Sequence, residues 1–130
     1  MKTILLDTSI IIDYLRMKNK KDQTVLFQLT EKKYAFAISL ITYTELYSGR
    51  GVWEKEGAQK ELEEALSYMK ILPFEKDTAK KAGEIRAKFG TDILDAIIAA
   101  TAFEHKIELV TLNTKDFEKI NGLVLFKNFE

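Results

Sequence analysis

Four carboxylates stand where a solvated Lys/Glu surface does not account for them. Asp7 ends the apolar run Thr3-Ile-Leu-Leu6, and Glu45 closes Thr42-Tyr-Thr-Glu45. Asp95 is set among Ile93, Leu94, Ala96 and Ile97, and Asp116 follows Thr111-Leu-Asn-Thr-Lys. Each has an ordinary alternative. Asp7 could be a strand-to-helix turn residue, and Glu45 could close a capping box on Thr42. Asp92 could cap a helix whose first turn carries Asp95 near the positive helix end, and Asp116 could cap the turn before Phe117. Their joint placement carries more than any one of them. Unpaired carboxylates brought together repel and cost desolvation energy unless protons or cations compensate. Oxygen donors select hard cations such as Mg²⁺ or Mn²⁺. Such ions acidify bound water and stabilise charge during attack on a phosphodiester. The chemistry open to this set is nuclease chemistry.

Other chemistries are narrowed by composition. The chain has no Cys, which removes zinc-thiolate sites, thiol nucleophiles and disulfide scaffolds. Its single histidine, His105, leaves little for a histidine-centred metal site or a Ser/His/Asp triad. Lys plus Arg number 20 and Asp plus Glu number 20, so the bulk basic surplus of a nucleic-acid binder is missing. If Asp7, Glu45, Asp95 and Asp116 gather around metal, 16 acids remain against 20 bases, a formal +4. Attraction for phosphate would then be local and metal-dependent.

The elements that must position these acids alternate between strand and helix. Residues 3–6 read as a short buried strand, with Thr8 and Ser9 as caps for a helix through Leu15. A second helix is expected over residues 24–32 and a second strand over 34–40. A short helix opens at Thr42 and ends near Gly49, and one long helical pattern covers residues 53–69. Residues 71–74 suggest a strand. A helix capped by Asp77 or Thr78 runs to Phe89 and closes at Gly90. Another, over residues 92–105, is apolar on most faces and so is expected to be buried on several sides. Residues 108–112 form the next strand, 115–119 a helical turn and 123–126 a last strand. This alternation implies an α/β fold around a mostly parallel sheet. The length of 130 residues fits one domain over 1–130, and 46% hydrophobic content can supply its core. Asp7 and Asp13 interrupt the apolar start before a membrane span could form, and no signal-peptide cleavage pattern follows. The expected location is cytoplasmic.

Four runs in this order resemble the PIN-domain ribonucleases, specifically the VapC-like toxins of type II toxin-antitoxin pairs. They are Ile4-Leu-Leu-Asp-Thr-Ser9, Thr44-Glu-Leu-Tyr-Ser-Gly49, Asp95-Ala-Ile-Ile-Ala-Ala-Thr-Ala102 and Val110-Thr-Leu-Asn-Thr-Lys-Asp-Phe117. The resemblance spans nearly the whole chain. It implies a three-layer α/β/α sandwich and Mg²⁺-dependent endoribonuclease activity, with Mn²⁺ as a substitute. The family's acids fall on Asp7, Glu45 and Asp95. Asp7 and Asp95 become the first choices for direct metal ligation, and Glu45 could bind metal, position water or accept a proton. At the fourth acid the chain departs from the cleanest pattern: Asn113 stands where some members have Asp, and Asp116 is one turn later. Thr8, Ser9, Asp92 and Thr111 are supporting candidates. The resemblance also implies an RNA substrate, a VapB-like antitoxin partner and a homodimer.

Surfaces are less legible. Lys18, Lys20, Lys21, Lys32, Lys33 and Arg50 could meet RNA phosphates, although helix-surface lysines are commonplace. Tyr43, Tyr47 and Trp53 read first as core, with a groove for an antitoxin helix as the alternative. His105 reads as a helix-end residue. Two other functions fit less well. A phosphoacceptor receiver domain would want an acid pair after the first strand, where Leu6 and Thr8 flank Asp7. A non-catalytic RNA- or protein-binding module gains weight only if Asn113 disables the site.

Overall fold

Strands buried on both faces need continuous apolar runs, and the first such run forms β1, Lys2–Leu6, with Ile4, Leu5 and Leu6 fully buried. The structure, a computed structural model, describes residues 1–127. β2 is Tyr34–Ser39, β3 is Lys70–Leu72 and β4 is Glu108–Val110. They form a parallel sheet in the order β3-β2-β1-β4. The residues that follow the strands therefore emerge at one edge, where open α/β sheets place their ligand crevices.

Side chains alternate across the sheet. Ile4, Leu6, Phe36 and Ile38 join one core, with Ile10 and Ile11 of α1 (Thr8–Arg16), Leu26 and Leu29 of α2 (Val25–Thr30) and Leu46 of α3 (Leu40–Leu46). Leu62 and Leu66 of α5 (Ala58–Leu66) complete that face. Leu5, Ala37, Leu72 and Leu109 face the other core. There they meet Ala82 and Ile85 of α6 (Lys76–Phe89), the apolar body of α7 (Ile93–His105) and Phe117 of α8 (Thr114–Glu118). The result is the expected α/β/α sandwich, with α7 buried along Ala96–Ala102. No helix among the described residues is long and apolar enough to cross a membrane.

Several local expectations change, each for a stated reason. The cap of α1 is Asp7 itself, which accepts from the Ser9 amide, and not Thr8 or Ser9. Ser39 caps α3 by accepting from the Ile41 amide, so α3 starts at Leu40 and Thr42 lies inside it. The α6 cap is Glu75, in a reciprocal box with Thr78, in place of Asp77 or Thr78. The expected last strand shrinks to a parallel bridge between Leu109 and Leu125. The long helix over 53–69 is broken. Its first part is α4, Arg50–Glu54, and α5 begins after Gly57, whose φ is 81°. An L side chain is strained there, so the glycine decides the break.

Gly57→Ala discriminates the two arrangements. In a continuous helix alanine would stabilise by roughly 1 kcal/mol. At a left-handed position it is expected to destabilise by about 1 kcal/mol, read as a lower urea midpoint at unchanged slope.

Candidate metal centre

The parallel sheet brings the ends of β1 and β4 together, and Asp7 is held between them. Its amide donates to the Val110 carbonyl at 3.0 Å. Its Oδ1 accepts from the Ser9 amide at 3.0 Å and from the Ser9 hydroxyl at 2.5 Å. Oδ2 accepts from the Thr111 hydroxyl at 2.5 Å. Those hydroxyls are themselves oriented. The Leu112 amide donates to Ser9 Oγ at 3.1 Å and the Asn113 amide to Thr111 Oγ1 at 2.9 Å. A hydroxyl has one proton and two lone pairs, so an incoming amide on each directs its proton to Asp7. Ser9 and Thr111 are thus drawn into the site as donors to its most buried acid.

Burial pushes the Asp7 carboxyl above its ordinary value, while Ser9, Thr111 and the Ile10 and Ser9 backbone pull it back. Asp95, in the first turn of α7, is raised to about 6, first by burial and then by the charges of Asp92, Asp116, Asp7 and Glu45. The other three acids singled out in the sequence, Asp7, Glu45 and Asp116, are therefore, with Asp92, within electrostatic reach of Asp95. The ion pairs among the described residues join Lys2 to Glu108 and Glu84 to Lys81 and Lys88, so none neutralises this group.

Glu45 does not close a capping box. Thr8 Oγ1 donates to Glu45 Oε1 at 2.7 Å and lies 3.1 Å from Thr42 Oγ1. The spacing of three that suggested a cap instead puts Thr42 and Glu45 on one face of α3, turned toward α1. Thr42 is the functional neighbour that pattern reading misses. Asp92 is the cap of α7, accepting from the Leu94 amide at 3.2 Å. Asn113 precedes α8 as an exposed N-cap without a side-chain capping bond, and Asp116 is exposed in the first turn of α8.

Among the described residues, no three acidic or histidine side chains are drawn tightly enough to hold a metal unaided. The donor set nevertheless fits a small hard cation. Such an ion keeps several of its waters and needs only one or two direct carboxylates. Asp7 and Asp95 can supply these, while the outer acids lower the potential around them. A cleft of about 610 Å³ opens at the opposite edge between Lys2, Phe103, Lys106 and Leu123 and contains none of these acids. Charge and hydrogen bonding converge instead on the acidic edge.

The surface candidates separate. Lys21 is turned inward, donating to the Tyr14 carbonyl at 2.7 Å and lying 4.4 Å from the Tyr14 ring centre. Lys18, Lys20, Lys33 and Arg50 are exposed, and Lys32 is half-buried. His105 is exposed in the last turn of α7. The reading of Tyr43, Tyr47 and Trp53 as core is corrected: the tyrosines are only half-buried, and Trp53 is 63% exposed.

Comparison with known proteins agrees with this geometry. The PIN domain model matches residues 4–123. The chain is 35% identical to Ribonuclease VapC1 of Rickettsia felis over 132 residues, covering 92% of each chain. It is 30% identical to Ribonuclease VapC of Rickettsia bellii over 129 residues, again covering 92% of each. Among solved structures, a toxin-antitoxin complex from Klebsiella pneumoniae superposes with a TM-score of 0.74 at 36% identity, covering 93% of this chain and 95% of that one. VapBC2 from Rickettsia felis, bound to a DNA fragment from their promoter, gives a TM-score of 0.78 at 27% identity, covering 95% and 97%.

Two measurements test the site as drawn. Thr111→Val removes a donor from Asp7 and an acceptor from the Asn113 amide, and is expected to cost about 1–3 kcal/mol in urea unfolding. For Asp95 the sign is opposite. Its folded pKa of about 6 lies above the ordinary 3.8, so the group opposes folding fully above pH 6, and the penalty falls away between about 6 and 3.8. In chelator, Asp95→Asn should therefore stabilise the chain at pH 7.5 by about 1 kcal/mol, a value discounted for a half-exposed group. The gain should vanish near pH 4. A loss of stability at pH 7.5 would show that the carboxylate is structural.

Proposed function

Because this chain belongs to the PIN-domain family, we propose that it is a metal-dependent endoribonuclease and the toxin of a VapBC-type pair, with Mg²⁺ held by Asp7 and Asp95. The observation that carries this reading is the convergence of four unneutralised carboxylates, Asp7, Glu45, Asp92 and Asp116, on Asp95 at the sheet edge. The names of its relatives, ribonucleases and toxin-antitoxin complexes, support the substrate and the partner. A divalent cation, when bound, supplies a water of lowered pKa and positive charge beside the scissile phosphate.

The chain's own residues have separable tasks in this reading. Asp7 presents a carboxylate whose direction is set by Ser9 and Thr111, so little reorganisation is needed on loading. Asp95 is ionised at neutral pH against its neighbours' repulsion, a cost that a cation relieves. Glu45, with one oxygen held by Thr8, orients the attacking water or takes its proton. Asp116 adds charge from α8, and Asn113 contributes at most a neutral oxygen. Asp92 caps α7 and thereby fixes where Asp95 stands. Mn²⁺ meets the same oxygen donors and is expected to substitute. Inhibition by a VapB-like antitoxin belongs to this reading. Homodimerisation and cytoplasmic residence enter it through the family alone.

Purified chain should cleave RNA in Mg²⁺ and stop in chelator. Asp7→Asn and Asp95→Asn should each lower cleavage by about 10³-fold or more, since several kcal/mol of charge stabilisation is lost, while the folded circular-dichroism spectrum persists. Expression should arrest growth, and co-expression of a small neighbouring reading frame should relieve it. Full activity of both variants would overturn the metal assignment. Cleavage without growth arrest would leave an RNA-processing enzyme.

A further inference from the structure

Three aromatic rings lie in a row on the surface of α3 and α4. Tyr43 and Tyr47 have centroids 5.0 Å apart, and Tyr47 and Trp53 are 6.0 Å apart. Tyr43 and Tyr47 are anchored against the first core. Trp53 is not, yet it is fixed: its indole N–H donates to the Tyr47 carbonyl at 2.7 Å. A tryptophan 63% exposed and held by its one polar atom presents a ring face that is already ordered. With Thr44 and Ser48, the three rings line an open cleft of about 530 Å³.

Charge decides what such a cleft takes. Single-stranded RNA stacks on aromatic rings that lie in positively charged grooves. Here the adjoining segment is acidic. Residues 53–64 carry Glu54, Glu56, Glu61, Glu63 and Glu64 against Lys55 and Lys60, a formal −3, with all seven side chains exposed. Glu63 is within electrostatic range of the cleft, joining burial and Tyr43 in raising the Tyr47 phenol. A phosphate backbone is repelled by that segment, whereas a guanidinium or ammonium group is attracted by both the carboxylates and the ring faces.

We propose that this cleft docks a cation-bearing segment of the antitoxin, seating an arginine or lysine against Trp53 and Tyr47, apart from the acidic edge that cleaves RNA. The inference rests on the toxin-antitoxin reading above. Pre-ordered aromatic residues that pair with a partner's basic side chain are the residue types that dominate interface energy. Trp53 is also the only tryptophan in the chain, so its emission reports on this cleft alone.

The test uses the full chain and the antitoxin encoded by the neighbouring reading frame. Affinity is measured for wild type, Trp53→Ala, Trp53→Phe and Glu63→Lys, alongside kcat and KM for RNA and the sedimentation mass of each variant. Binding should change Trp53 emission in the wild type. Trp53→Ala should weaken the complex at least tenfold, Trp53→Phe less, and Glu63→Lys should weaken it in low salt, with RNA cleavage by Trp53→Ala within twofold. Wild-type affinity for antitoxin in Trp53→Ala, or in both Trp53→Phe and Glu63→Lys if alanine disturbs folding, overturns the proposal. A tenfold rise in KM for RNA without loss of antitoxin binding overturns it in favour of an RNA platform. A changed mass of the free chain does so in favour of self-association. If no neighbouring product binds or inhibits the wild type, the toxin-antitoxin reading fails first and takes this inference with it.

Discussion

The burial of the Asp7 carboxylate is the constraint to which the sheet edge is fitted. An ionised group in that position needs donors in proportion to the water it has lost. The chain supplies them from two distant segments, Ser9 at the start of α1 and Thr111 after β4. Because the Leu112 and Asn113 amides act on those same hydroxyls, the acid also ties β1 to β4 beyond the ladder that pairs Leu6 with Val110. The same bonds that stabilise the fold fix the direction of the carboxylate.

The second acid is arranged on the opposite principle. Asp95 sits at the front of a helix whose remaining length is spent on packing, from Ala96 to Ala102. The helix cannot shift to relieve the charge without opening the second core. Asp95 thus stands where burial first, and then like charges, raise its proton affinity. Such placement is costly for an empty site and favourable for a filled one.

Two acidic surfaces differ in what accompanies their charge. Acids gathered at the sheet edge have donors, and a cation would compensate them. Those along α4 and α5 share their segment with Trp53. Zero net charge over the chain conceals this difference. A partner that senses local field meets at least two distinct surfaces, and the protein's overall balance predicts neither.

The sequence by itself determined the alternation of strands and helices and singled out the acids that the fold brings within reach of Asp95. Short apolar runs ending in Asp7 and Thr111, and a helix apolar on most faces around Asp95, can only be buried as a parallel sheet sandwiched by helices. It also carried the break at Gly57, but periodicity reads through a single glycine, whose positive φ appears only once the chain is folded. Thr42-x-x-Glu45 was legible as a motif and not as a contact. A capping box and a helix face share the spacing of three, and only the docking of α3 against α1 decides that Glu45 answers to Thr8. Likewise, whether Tyr43, Tyr47 and Trp53 are core or surface depends on which sides of the short helices α3 and α4 meet their neighbours, and no local pattern fixes that for such short elements. Residue type and order are local properties that a chain states directly. Mutual orientation is set by long-range packing and was decided only in the tertiary structure.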